Sequence, residues 1–189
     1  MANKVKFGLS NVHIAPITEI SGNSITYGTP FALPGAVNLT LDPEGESADF
    51  YGDNTKYFSE FANQGYSGSL EIALLNDDFR TQILGESTDA NGAMIESTND
   101  TIKDFALGFQ INGDKTNRKY WFYNVSAQRP STAGQTIETS KEPTTDSLDI
   151  TASARVTDNK VKVFLEKSDD NTTAYNNFFN EVYEAVTSA

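Results

Sequence analysis

KYWFYNVSA, residues 119–127, is the stretch of the sequence that decides the fold. Large apolar side chains stand at both odd and even positions of this segment: Trp121, Tyr123 and Val125 on one side, Tyr120 and Phe122 on the other. A strand that is apolar on both faces needs cover on both sides. We therefore predict that residues 119–127 form a central strand of a sheet.

Simple alternation of apolar and polar residues surrounds this strand. Apolar side chains stand at alternate positions in 37–41, 66–74, 105–111, 148–156 and 161–165. This period is typical of strands with one buried and one solvated face. Turn signals predict two hairpins, one joining 105–111 to 120–127 and one joining 148–156 to 161–165. Because most connections are too short for parallel crossovers, we predict a mainly β fold, an antiparallel β-sandwich or barrel.

Two segments have a helical period instead. Asn76 can cap a short helix whose first turn carries Asp77 and Asp78, and Gly85 can end it. Near the C-terminus, apolar side chains follow the spacing of one helix face: Tyr175, Phe178, Phe179, Val182 and Val186. This pattern predicts a flanking C-terminal helix. Its aromatic stripe must be covered either by the domain's own sheet or by a neighbouring subunit.

Length and charge limit the function further. The 189 residues contain no linker, so we expect one domain over 1–189. The net charge of −12 disfavours a general nucleic-acid binder, and the lack of Cys excludes disulfides and thiolate chemistry. No apolar run approaches the roughly 20 residues of a membrane span, so we expect no membrane association.

Catalytic chemistry finds little support. His13 is the single histidine, and we expect it to be packed or paired rather than to act as a base. Phosphate-binding and zinc motifs are absent, and the acids of residues 42–53 do not match a calcium loop. We therefore predict no enzyme activity, no cofactor and no metal. The aromatic run at 120–123 could serve as a sugar-stacking platform, although its two-faced pattern favours burial.

The acidic segment PGAVNLTLDPEGESADFYGDN, residues 34–54, raises a different possibility. It begins as a strand and ends as an acidic loop that carries Phe50 and Tyr51. No enzymatic interpretation explains two large aromatic residues in the most charged loop. Exposed aromatic residues of this kind are common at protein interfaces.

Three segments in order give the chain a family resemblance. The acidic segment, QGYSGSLEIALLNDDFRTQILGE (64–86) and YNNFFNEVYEAV (175–186) resemble the major tail protein family of long-tailed, non-contractile phages of Gram-positive bacteria. The resemblance implies a β-sandwich with a flanking helix that closes into hexameric rings, which stack into a hollow tail tube. It also implies a virion protein assembled in the host cytoplasm, with tail terminator, tape measure and distal tail proteins as partners, and with DNA passing through without specific binding.

Within this resemblance, specific residues acquire expected roles. We expect residues 42–54 to be a mobile contact arm between subunits, with its members Asp42, Glu44, Glu46, Asp49, Phe50, Tyr51 and Asp53. Acids on the solvent side of the alternating strands could line an acidic lumen that lets DNA slide: Glu71, Asp149 and Glu166. The alternatives are a carbohydrate-binding or host-adhesion module that uses Trp121 and tyrosines, and a hydrolase with paired carboxylates.

Overall fold

The structure is a computed structural model that describes residues 7–22, 24–113, 117–132, 134, 136 and 144–186. Strands dominate these residues: β1 (Leu9–Ser21), β2 (Ser24–Tyr27), β3 (Phe31–Ala32), β4 (Ala36–Glu44), β5 (Ser47–Gly52), β6 (Thr55–Phe61), β7 (Gly65–Ile72), β8 (Ser87–Thr88), β9 (Met94–Ile95), β10 (Phe105–Ile111), β11 (Lys119–Ala127), β12 (Asp146–Ser153) and β13 (Lys162–Leu165). The helices are short, α1 at Asp77–Gln82 and α2 at Thr172–Asn176, with a 3-10 turn at Asp169–Asn171.

One antiparallel sheet holds most of the strands. Its order is β2-β1-β10-β11-β12-β7-β4, with β3 paired to β1 and β13 paired to β11. The predicted mainly β, antiparallel class with a short helix and a C-terminal helix is confirmed. The pairs β5-β6 and β8-β9 form two small separate sheets.

The predicted central strand is confirmed. β11 pairs with β10 along one edge, as the predicted hairpin requires. Its other edge is shared, since Asn124–Ala127 pair with β12 and Lys119–Phe122 pair with β13. The predicted hairpin between β12 and β13 is therefore wrong. The turn after β12 is present, but β11 is long enough to leave a free edge beyond β12, and β13 pairs there.

A β-bulge in β11 places its large side chains in two different cores. Against β10, Phe105 pairs with Val125 while Leu107 pairs with Phe122, so β11 has one extra residue between them. The inner core then receives both Phe122 and Val125, together with side chains of β1, β7, β10, β12 and α1. Trp121 and Tyr123 point to the outer side of the sheet, where a second core forms.

The first helix follows its sequence signals. The side chain of Asn76 accepts a hydrogen bond from the Phe79 backbone N–H at 3.0 Å, which is the expected N-cap. Gly85 has φ of +78°, a conformation that glycine adopts freely, and ends the helical turn region. Phe79, Ile83 and Leu84 are buried in the inner core.

The C-terminal helix is much shorter than predicted, because α2 ends at Asn176. We call residues 172–186 the strap. Three donors on alternate residues of β11 capture its backbone carbonyls: Lys119 Nζ contacts the Tyr175 O at 2.7 Å, Trp121 Nε1 the Phe178 O at 2.8 Å, and Tyr123 Oη the Tyr183 O at 2.9 Å. These tertiary hydrogen bonds replace the repeated bonds that a longer helix would make, so the prediction of a helix to Val186 is wrong.

Candidate assembly surfaces

The aromatic stripe of the strap is covered by the chain's own sheet. Phe178 and Val182 lie in the outer core with Trp121 and Tyr123, while Val186 is exposed. His13 belongs to this packing, since its ring stacks on Phe179 with centroids 4.6 Å apart, and its Nδ1 lies 2.9 Å from the Asn11 carbonyl. The strap therefore leaves no aromatic stripe available for a neighbouring subunit.

A buried arginine ties the strap to the body. Arg155 is 4% exposed, and its guanidinium lies 4.0 Å from the centre of the Tyr123 ring. It forms ion pairs with Asp158 at 2.6 Å and with Glu184 of the strap. The hydrogen bond from Arg155 lowers the pKa of Asp158 to about 2. Burial lowers the pKa of Lys119, the second cation beneath the strap.

A very different aromatic region continues from β4 and β7. The backbone bonds Gln64 N–H to Glu44 O at 2.9 Å and Ala62 N–H to Glu46 O at 3.0 Å extend the β4-β7 pairing towards β5 and β6. Beyond them β5 and β6 form a two-stranded hairpin, residues 47–61, which we call the arm. Its turn residues Asp53 and Asn54 have φ of 51° and 61°, the two positive values of a type I′ turn. The arm is therefore a regular hairpin rather than an irregular loop.

The arm exposes large aromatic side chains on both of its faces. Five of them are more than half exposed: Phe50 63%, Tyr51 64%, Tyr57 81%, Phe58 53% and Phe61 62%. Phe50 pairs directly with Phe58, so these two rings share one face. Phe61 pairs with Ser47, two positions from the pair of Asp49 with Ser59, and so lies on the other face.

Asp49 is the centre of the polar side-chain contacts described within the arm. Asp49 accepts a hydrogen bond from Ser59 at 2.7 Å and lies 2.8 Å from Lys56 Nζ. These contacts lower the pKa of Asp49, and the contact with Lys56 has the largest effect. An isolated two-stranded hairpin is only marginally stable in water, and exposed ion pairs add little. The contacts within the arm therefore leave most of its aromatic surface uncovered.

The sequence-predicted arm residues are divided by the structure. Asp49, Phe50, Tyr51 and Asp53 lie in the arm, and Glu46 lies at its base. Asp42 and Glu44 instead lie in β4, where they pair with Ser67 and Gly65 of β7. The predicted loop is wrong because most of residues 42–54 lie in β4 and β5, and only residues 45–46 and the turn at 53–54 lie outside strands.

The second strand of the arm was missed by the sequence prediction. It contributes three of the five exposed rings: Tyr57, Phe58 and Phe61. The signal that could have found it is Asp53-Asn54 between two aromatic-containing runs, which is typical of a two-residue hairpin turn.

The other half of the outer side of the sheet carries no covering segment from the residues that the structure describes. Side chains on this face of β4, β7 and β12 form three rows across the strands: Asn38, Glu71 and Ser147; Thr40, Ser69 and Asp149; Asp42, Ser67 and Thr151. We call this the bare face. Its rows contain three carboxylates, hydroxyls and an amide, and neither an apolar nor a basic side chain. Glu44 extends it, bonded to Ser67.

Two of the three predicted lumen acids lie on this face. Glu71 and Asp149 stand in neighbouring rows, and Thr145 donates a hydrogen bond to Glu71 at 2.5 Å. Glu166 does not join them. It follows β13 and forms an ion pair with Arg118, so its charge is locally balanced. The structure thus groups Glu71 and Asp149 with Asp42, which was expected in the arm.

The described part of the chain offers little support for a metal site, a sugar-binding platform or a membrane span. No group of three or more His, Asp or Glu side chains there is placed to hold a metal ion. Trp121 is fully buried, so the aromatic run at 120–123 does not present its indole to a ligand. None of the helices among the described residues has the length and apolar character to cross a bilayer.

Comparisons with known proteins add no family to this description. No protein-family model matches the chain, and no curated protein is significantly similar to it.

Proposed function

We propose that this chain is a structural subunit that assembles with copies of itself into hexameric rings, and that the rings stack into the tail tube of a long-tailed phage. The observation that carries the proposal is the arm, a two-stranded hairpin with five exposed aromatic rings. The partners of the subunit would be further copies of itself and the tail terminator, tape measure and distal tail proteins. It would reside in the virion tail after assembly in the host cytoplasm.

The arm offers enough apolar area for a specific interface. Large aromatic side chains bury about 150–250 Å² each when fully covered. Five such side chains, each more than half exposed, therefore offer several hundred Å². One partner of a standard protein interface buries roughly 800 Å². Coverage by a second subunit would supply the stabilisation that a lone hairpin lacks.

The sheet also has free edges for lateral contacts. β2 and β4 end the main sheet in the described part of the chain. A free edge presents unpaired backbone N–H and C=O groups, and such groups pair readily with a strand of another chain. A ring needs two different complementary surfaces on each subunit, and two different edges meet that requirement.

The bare face suits the wall of a channel for DNA. It combines several carboxylates with small hydroxyl side chains and has no cation in its rows. A basic wall would hold DNA by releasing counterions from many phosphates, whereas an acidic wall does not. Electrostatic screening limits this effect to about 8 Å at physiological salt, so the wall charges matter more than the net charge of the subunit.

Electron microscopy and sedimentation at rising protein concentration test the proposal. We expect rings or polymers of constant width from the unmodified chain. Replacing residues 47–61 by a short glycine turn between Glu46 and Ala62 should abolish stacking and leave the circular dichroism of the body unchanged. The substitution Ile95→Ser, in the exposed β8-β9 hairpin, is the control and should assemble normally. A chain that stays monomeric at all concentrations, or stacks without its arm, contradicts the proposal.

A further inference from the structure

A cleft lined mostly by aliphatic and aromatic residues opens into the inner core of the sheet. It has a volume of about 570 Å³, and its lining comes from β1, β4, β7, β10, β11 and β13, including Leu9, Val37, Leu39, Phe109, Phe122 and Lys162. Val37 is 55% exposed at its mouth. None of the arm residues lines the cleft, which borders the bare face at Asn38.

Aromatic rings make up one wall of the cleft. Phe109 stacks on Tyr120 with centroids 5.0 Å apart, and Tyr66 meets Phe122 edge to face at 5.3 Å. Aromatic pairs in stacked or edge-to-face geometry attract one another beyond the effect of buried area. A cavity of about 150 Å³ accepts one benzene ring, so the cleft has room for a pair of phenylalanine rings. Its shape and lining therefore suit an aromatic occupant.

The charge at the mouth of the cleft is complementary to the arm. Lys162 lies over the Tyr66 ring at 4.3 Å and donates a hydrogen bond to its hydroxyl at 2.7 Å. Among the described residues it has no carboxylate partner. The arm and its base carry Glu46, Asp53 and Glu60, which likewise form no ion pair with described residues, while Asp49 is paired with Lys56. An incoming arm would bring carboxylates to an unpaired ammonium.

The arm leads away from the cleft of its own chain. Within β4 the cleft is lined by residues 37–39 and by Leu41, and the arm begins beyond the far end of that strand. Phe50 follows Leu41 by nine residues, roughly 30 Å of extended chain. When one molecule carries two complementary surfaces that face in opposite directions, successive copies join head to tail. This is the geometry of an open stack.

We propose that the arm of one copy seats Phe50 and Phe58 in the cleft of the next copy, with its carboxylates beside Lys162. This inference rests on the proposed self-assembly and adds to it the receiving surface. The two rings share one face of the arm and can enter together.

Cross-linking between single-cysteine variants tests this pairing directly, because the chain contains no Cys. Ala48→Cys lies on the arm two residues from Phe50 and leaves the rings intact. Val37→Cys lies at the mouth of the cleft. The matched control is Val156→Cys, a valine that is 76% exposed away from the cleft. Equal amounts of two variants are mixed, assembled and treated with a short bifunctional maleimide.

We expect the mixture of Ala48→Cys with Val37→Cys to give at least fivefold more mixed dimer than the mixture with Val156→Cys. Polymers that form normally but give equal yields in both mixtures overturn the cleft pairing and leave the proposed function standing. A protein that neither polymerises nor cross-links overturns both. If cross-linking to Val37→Cys appears only after residues 1–6 are removed, the cleft belongs to the chain's own first residues and the pairing is wrong. Circular dichroism of each variant confirms that the exposed substitutions leave the fold intact.

Discussion

The strap and the arm are both rich in aromatic residues, but within the described part of the chain only the strap is covered by other residues. The strap lies over β11, whose Lys119, Trp121 and Tyr123 each capture one of its carbonyls. No described residues form a comparable partner surface for the arm, and its five large aromatic side chains are each more than half exposed. Aromatic content alone therefore does not decide whether a segment belongs to the core or to an interface. Donors on an underlying strand decide it here.

Matched phenylalanine substitutions in the two regions should give the largest contrast. Phe178 of the strap is 1% exposed and Phe58 of the arm is 53% exposed. We expect Phe178→Ala to lower the free energy of unfolding by about 3–5 kcal/mol, because it leaves a cavity in the outer core. We expect Phe58→Ala to change it by less than about 0.5 kcal/mol and to weaken polymerisation instead.

Urea denaturation of the monomer and sedimentation of the polymer measure the two effects of this pair. Equal losses of stability in both variants would show that the arm packs on its own subunit. The contrast between the regions would then be lost.

Removal of one donor that bonds a strap carbonyl should have the next largest effect. Trp121→Phe keeps an aromatic ring but leaves the Phe178 carbonyl without its donor. A buried acceptor without a partner costs about 1–3 kcal/mol, so we expect a loss of that size in the free energy of unfolding. We also expect faster hydrogen exchange in residues 172–186. Tyr57→Phe, which removes an exposed hydroxyl from the arm, is the control and should change neither quantity.

Where the sequence prediction succeeded, the deciding information was local. The two-sided apolar pattern of 119–127 predicted the central strand, and Asn76 predicted the start of α1. Alternation alone placed Glu71 and Asp149 on the solvent side of their strands. In each case the residues that fix the structure lie within a few positions of one another.

Where the prediction failed, the deciding partners are distant in the chain. The helix to Val186 is interrupted by donors on β11, some 56 to 60 residues earlier. Glu166 is balanced by Arg118, 48 residues away. The prediction of the arm failed for another reason. A strand whose two faces are both exposed within the subunit has no alternation of apolar and polar residues that would mark it in the sequence.

Acid should weaken the ion pair of Asp158 with Arg155, the residue that ties the strap to the body, and this should affect stability more than any change in the arm. The folded-state pKa of Asp158 is about 2, below its ordinary value of 3.8. A depressed carboxyl pKa contributes stability above its unfolded value, and this contribution is lost as the pH falls through the folded value. We therefore expect the wild-type chain to melt at a higher temperature than Asp158→Asn near pH 6. The difference should close between about pH 4 and pH 2.

Asp49→Asn is the control for this pH dependence. The pKa of Asp49 is also lowered by its contacts, chiefly with Lys56, but the pair is exposed in the arm. Exposed pairs contribute little to stability, so its melting profile should follow that of the wild type. A pH-dependent gap as large as that of Asp158→Asn would mean that the arm contributes to the stability of the folded monomer.

Substitutions on the bare face should have the smallest effect on stability. Here the two regions compared are the two halves of the outer side of the main sheet. The strap covers one half, whereas Glu71 and Asp149 stand on the uncovered half. We expect Glu71→Lys with Asp149→Lys to change the free energy of unfolding by no more than about 0.5 kcal/mol for each site.

If this face lines a channel, polymers of the double variant should retain short duplex DNA at low salt and release it as salt rises, while wild-type polymers should not retain it. The pair Glu19→Lys with Glu181→Lys makes the same change in net charge at exposed positions elsewhere, and co-sedimentation compares the two. Equal DNA retention by both pairs would show that only the total charge matters and that the bare face does not line the channel.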